Sequence, residues 1–154
     1  MSDLILCEPR LAVITRRGGL ILAESAVMAA TLRCEIFPAD LDATVFFYVS
    51  VLGFELVRDE RDQPSAYVAL ARDTVQVGAA ARPEVPDPGQ RRPVTGVELV
   101  LEVDDLEQEY ARVTGARWPL AEDLTERPWG LRDFRVLDPS GYYWRITGRA
   151  LPSP

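Results

Sequence analysis

Histidine is absent from this chain of 154 residues. Its absence removes both the commonest general base and the commonest transition-metal ligand. Cysteine is nearly absent, with only Cys7 and Cys34. Two cysteines make no disulfide framework, so free thiols in a reducing, cytoplasmic setting are expected. Basic charge is in deficit: 17 Lys and Arg stand against 24 Asp and Glu, a net charge of −7. A nucleic-acid partner is not expected, because its footprint is a basic face. Neutral or cationic partners are mildly favoured. No apolar run reaches the ~20 residues of a membrane span, so no membrane partner is expected. Asp3 and Glu8 break the charge pattern of a secretory signal.

What is present fits an ordinary globular protein: 47% hydrophobic and 27% charged residues. The length suits one domain, or two half-domains sharing a core. The most informative feature is a repeat. Leu32-Arg33-Cys34-Glu35-Ile36-Phe37-Pro38-Ala39-Asp40-Leu41-Asp42 matches Val97-Glu98-Leu99-Val100-Leu101-Glu102-Val103-Asp104-Asp105-Leu106-Glu107 in pattern, at a constant offset of 65 residues counted from Leu32 to Val97. Each copy is an alternating strand that runs into an acidic residue and Leu, where a helix starts. The period is too long for a solenoid unit and implies two sequential modules in one domain.

Residues 1–31 match neither copy and read as an extension of no legible function, with a possible hairpin about Arg16-Arg17-Gly18-Gly19. Module one spans 32–81. Its first strand puts Leu32, Cys34 and Ile36 on one face and Arg33, Glu35 and Phe37 on the other. Asp40 is the expected N-cap of a helix with the stripe Leu41, Val45, Tyr48 and Leu52, stopped by Gly53. Phe54–Val57 reads as a strand, and Tyr67–Ala71 with Thr74–Val77 as a hairpin turning at Arg72-Asp73. The connector 82–96 holds four prolines and two glycines, which block helix and ladder alike. Module two, 97–148, repeats the order: a strand to Val103, a helix from about Asp105 to Gly115, and a loop through Trp118-Pro119 and Arg127-Pro128-Trp129-Gly130. A strand Arg132–Leu137, a turn at Asp138-Pro139-Ser140-Gly141 and a last strand Tyr142–Thr147 follow. Residues 149–154 are a tail. The expected fold is α+β: two βαβββ modules forming curled mixed sheets around a cleft.

Asp40-Leu41-Asp42-Ala43 with Phe47-Tyr48 and Val51-Leu52-Gly53-Phe54, joined to Trp129-Gly130 and Asp138-Pro139-Ser140-Gly141-Tyr142, resembles the vicinal-oxygen-chelate superfamily. That group includes glyoxalase I, extradiol dioxygenases, fosfomycin-resistance enzymes and bleomycin-resistance proteins. The resemblance covers about Leu32 to Gly148. It implies sheets curled into a cleft, usually in a homodimer, and metal ligands His, His and Glu on the first strand of each module and on the last strand. Those positions fall here on Arg33, Glu98 and Arg145. A fourth, pseudo-symmetric position falls near Gln76 or Val77, where spacing leaves the register open.

Arginine has no lone pair for a metal, and one carboxylate cannot hold a transition metal alone. No metal and no cofactor are therefore expected. Strand alternation predicts a cleft lined by Arg33, Glu35 and Phe37, by Glu98, Val100 and Glu102, and by Tyr143, Arg145 and Thr147. Trp118 and Trp129 supply either packing or a flat wall for a ligand. Arg33, Glu98 and Arg145 are expected to lie together, either as a structural ion-pair set or as a grip on an anionic or carbonyl group. Trp144, on the opposite face, is expected in the core. The acidic run Asp104-Asp105-Glu107-Glu109 reads as a helix start.

The leading expectation is a non-catalytic, homodimeric protein that binds and sequesters a small molecule, an antibiotic being one candidate, like the bleomycin-resistance type. One alternative is a metal-independent lyase or isomerase using a cleft glutamate, marked by a carboxyl with a raised pKa. Another is a structural or regulatory module whose cleft is filled by ion pairs.

Overall fold

The computed structural model describes residues 32–82, 87 and 98–149. The expected hairpin in 1–31, most of the connector and the far tail lie outside them. Two four-stranded sheets are present. The first has the order β1-β4-β3-β2, with β1 Cys34–Ile36, β2 Glu55–Glu60, β3 Tyr67–Arg72 and β4 Val75–Ala80. The second has the order β5-β8-β7-β6, with β5 Leu99–Val103, β6 Leu120–Glu126, β7 Arg132–Leu137 and β8 Tyr143–Gly148. In each, the first strand pairs parallel with the last and the other pairs are antiparallel. The two βαβββ modules read from the repeat are therefore present, and the class is α+β.

Each helix begins as its sequence dictates. Asp40 caps α1, Leu41–Phe46, by accepting from the Ala43 amide, and Asp105 caps α2, Leu106–Gly115, by accepting from the Gln108 amide. Gly53 ends the first helical segment at φ 68°, a left-handed conformation that glycine adopts without steric cost. Between them the sequence pattern misled. After Phe46 the helix widens into a π-helical turn, Phe47–Val51. That turn buries Phe47, Tyr48 and Val51 together, three residues where a plain stripe supplies only Tyr48.

One core joins the modules. Trp118 of module two packs on Phe47 at 4.8 Å, and Trp144 meets the Tyr48 ring edge-on at 6.0 Å. The fully buried Tyr48 hydroxyl accepts from Trp144 Nε1 (3.1 Å) and donates to Asp138 Oδ2 (3.4 Å). Asp138 Oδ1 in turn accepts from the Ser140 and Tyr142 amides. The Asp-Pro-Ser-Gly turn is thus tied to the first helix. Trp144 is in the core, as alternation requires; Leu32 is 94% exposed and takes no part in it.

Two further differences have physical causes. β6 occupies a stretch read as loop: half-buried Leu120, Glu122 and Leu124 alternate with exposed Ala121, Asp123 and Thr125, and two register shifts interrupt the ladder. Glu109 is 2% exposed, not a solvated helix-start charge. It accepts both terminal nitrogens of Arg72, at 2.9 and 2.7 Å, while Arg72 also donates to the Leu52 carbonyl at 2.6 Å. No helix among the described residues is long and apolar enough to cross a membrane.

Candidate functional site

Strand alternation divides each sheet. Ile36, Val68, Leu70, Val77 and Ala79 of the first, and Leu101, Phe134, Val136, Trp144 and Ile146 of the second, enter the shared core. The opposite faces carry the polar candidates.

On the first sheet, Arg33 and Glu35 form an ion pair at 2.6 Å, and the Tyr67 hydroxyl donates to Glu35 at 3.4 Å. With Arg58, Glu60 and Arg82 they line an open cavity of about 490 Å³. Phe37 lies beside it, its ring 4.9 Å beneath the Arg82 guanidinium. Ladder register also settles the fourth pseudo-symmetric position. Glu35 pairs with Gly78, as its repeat counterpart Val100 pairs with Arg145. The position is therefore Gly78, not Gln76 or Val77. A Cβ there would overlap the Glu35 carboxylate and the Tyr67 hydroxyl, so the glycine leaves room for Glu35 to fold across the sheet.

On the second sheet, Glu98 and Arg145 meet at 3.2 Å, and Val100, Tyr143 and Arg145 share one face. Glu102 is on that strand face too, but lines a separate 200 Å³ cavity with Arg72, Asp104, Glu109 and Arg149. Trp129 is 57% exposed in the tight turn joining β6 to β7, where the Gly130 amide donates to the Arg127 carbonyl. The expected trio is thus seen as a pair: Arg145 takes Glu98, and Arg33 takes Glu35.

Sequence reasoning missed the neighbours of Arg145. Arg127 donates to Asp133 Oδ1 at 2.6 and 2.9 Å and to Glu122 at 2.6 Å; Arg135 donates to Glu122 at 3.2 Å. Asp133 is 1% exposed in its side chain. The Arg127 hydrogen bond holds the Glu122 carboxyl below its usual range, against a smaller opposing effect of desolvation. The available signal was the alternation Asp133, Arg135, Leu137, which puts these residues on the face of Arg145.

The donor set does not fit a catalytic metal. Two of the three ligand positions are guanidinium groups, which offer no lone pair. Among the described residues no group of three or more His, Cys, Asp or Glu converges.

Known proteins match this architecture. The description "Glyoxalase/Bleomycin resistance protein/Dioxygenase superfamily" matches residues 31–146. A bleomycin resistance determinant encoded on the transposon Tn5 superposes with a TM-score of 0.65 at 21% identity, over 80% of this chain and 100% of that one. TioX from Micromonospora sp. ML1 gives 0.64 at 23% identity, covering 79% and 100%. A bleomycin-binding protein complexed with bleomycin gives 0.63 at 20% identity, covering 79% and 100%. No curated protein sequence matches the chain significantly.

Proposed function

This chain belongs to the glyoxalase/bleomycin resistance protein/dioxygenase superfamily, and from that premise we propose that it binds and sequesters a small molecule without catalysis. The observation that carries this reading is the open face of the second sheet. The position that is a carboxylate ligand in metal-dependent relatives is here Arg145, 23% exposed beside Glu98, Val100 and Tyr143. A binding surface needs apolar area and a few placed polar groups, and both are present. The fold likeness to two bleomycin-associated proteins makes bleomycin the first probe. Arg33, Glu35 and Phe37 on the first sheet form the matching half of the surface, to be joined to the second by a partner copy.

The lyase or isomerase reading has less support: the carboxyls of Asp59, Glu122 and Asp123 are shifted down, the wrong direction for a general acid–base at neutral pH. The structural reading has support of its own, because Arg127, Glu122, Asp133 and Arg135 fill part of the face with ion pairs. A thermal-shift titration separates the two. Ligand at a hundredfold over Kd adds about 2.7 kcal/mol of apparent stability. Bleomycin, or a member of a drug-like library, should raise the melting temperature saturably; a melting temperature unmoved by all of them would leave the structural reading.

The same donor set predicts that protein purified without chelator carries no stoichiometric Zn, Mn, Fe or Ni. Elemental analysis checks this. One equivalent of metal per chain, lost in Glu98→Ala, would refute it.

A further inference from the structure

The geometry points to an oxyanion receptor made by Arg135 and Arg145 on the open face of the second sheet. This rests on the small-molecule reading above and names the ligand's chemical class: a carboxylate or phosphate ester with an apolar body.

Arg135 and Arg145 are direct cross-strand partners in the β7–β8 ladder. Like charges directly opposite one another destabilise an antiparallel pair. The nearby carboxylates offset this unevenly. Arg127 takes the short hydrogen bonds to Asp133 and Glu122. Arg135 is left with Glu122 at 3.2 Å, the Tyr143 hydroxyl at 3.4 Å and an ion contact to Asp133 at 3.5 Å, and its buried Nε has no acceptor. Arg145 receives less still. Its Nε is 3.2 Å from Glu98 Oε2 yet misaligned for a hydrogen bond, so that nitrogen too is buried without an acceptor. Nor does Arg145 donate a hydrogen bond to any other described residue.

A guanidinium carries five N–H donors in a planar fork. Two such forks stand side by side and partly desolvated: Arg135 spends Nη1 on Glu122 and Tyr143 and keeps Nε without an acceptor, while the Arg145 fork is unspent. Withholding acceptors from buried donors costs free energy, and an oxyanion with two or three oxygens supplies them through charge-assisted, bidentate bonds. Tyr143, two residues before Arg145 on the same face, and Val100, its partner across β5–β8, flank the fork. They suit an aromatic or aliphatic group attached to the oxyanion. Formal charges of Arg127, Arg135, Arg145, Glu98, Glu122 and Asp133 cancel, so recognition rests on directed hydrogen bonds and not on a net positive field.

Glu98 is the internal competitor, since its carboxylate holds the place a ligand carboxylate would take. A purely structural ion pair predicts no gain on removing it; a receptor does. The experiment is an NMR titration of the full chain, following the arginine Nε–Hε signals, with benzoate, phenyl phosphate and the neutral isostere benzamide. Benzoate or phenyl phosphate should shift the Arg135 and Arg145 signals saturably, the stronger of the two showing whether carboxylate or phosphate is preferred. Benzamide should bind at least about tenfold more weakly, a difference of ~1.4 kcal/mol. Glu98→Gln should tighten benzoate severalfold. Arg145→Lys, which keeps the charge and removes the fork, should weaken it. Equal binding of benzoate and benzamide at this face overturns the oxyanion class and leaves the small-molecule reading standing. Unchanged or weaker benzoate binding in a folded Glu98→Gln variant overturns it as well. Failure of the small-molecule reading itself shows in the thermal-shift titration.

Discussion

At the scale of single residues, the clearest case is a buried hydroxyl shared between two partners. Tyr48 is fully buried, and desolvation, reinforced by the charge of Asp138, pushes its hydroxyl well above the usual tyrosine range. Tyr48→Phe keeps the ring and removes the acceptor of Trp144 Nε1. The expected cost is about 1–3 kcal/mol, the desolvation penalty of an unsatisfied buried group, read from the urea midpoint. Glu122 gives a pH test. Its folded pKa is lowered, so its stabilisation is present above the unfolded carboxyl pKa and lost as pH falls through the lower folded value. Melting temperature should fall in that acid window, and Glu122→Gln should flatten the fall. The effect should be small, because the Glu122 side chain is 40% exposed and solvent screens it. Three positions of the proposed site could be placed from sequence at this scale. Arg33, Glu98 and Arg145 were found by counting from the helix entry and from the Asp-Pro-Ser-Gly turn. Their partners were not, since any of several carboxylates can reach a long arginine side chain and only the register chooses.

At the scale of elements, local chemistry carried the reading where it was strong. Asp40, Asp105, Gly53 and the Asp138–Gly141 turn each sit where capping and turn rules place them. β6 escaped because its bulged pairing breaks strict alternation and the prolines at 119 and 128 flank it as loop signals do. The π-helical turn escaped because one extra residue per turn shifts the buried face, which a 3.6-residue period cannot anticipate. Glu109 escaped for a different reason. Its partner lies at the end of β3 in the other module, 37 residues away. That bidentate pair, with Arg72 18% and Glu109 2% exposed, pins the β3–β4 hairpin to α2. Breaking it by Arg72→Met leaves a buried carboxylate with only the longer Arg112 contact at 3.7 Å and should cost up to about 3–5 kcal/mol. The double variant Arg72→Met with Glu109→Leu should recover most of the loss, because two apolar groups need no desolvation. Denaturant unfolding of the two variants decides the point; a double variant no more stable than the single would refute it.

At the scale of the whole molecule, the two modules use their helix-covered faces on one another and leave two polar sheet faces that the other described residues do not cover. Phe46, Val49, Val57, Val100 and Trp129 remain exposed as well. All 17 basic residues are arginine, with no lysine in the chain. Lysine is the usual guard of exposed sheet edges, and it is depleted at protein interfaces where arginine is enriched. Composition and exposed surface support a proposal of self-association, and we expect a homodimer in which the first sheet of one copy faces the second sheet of its partner. That arrangement gives Arg33 a route to Glu98 that a single chain does not use, since within the chain each pairs on its own sheet. Light scattering at micromolar concentration should report the mass of two chains; a monomer mass alone refutes the dimer. Glu98→Arg would then set like charges against the partner's face and should weaken association. Adding Arg33→Glu to it should restore dimerisation if the two positions meet across the interface, and should leave it weakened if they do not.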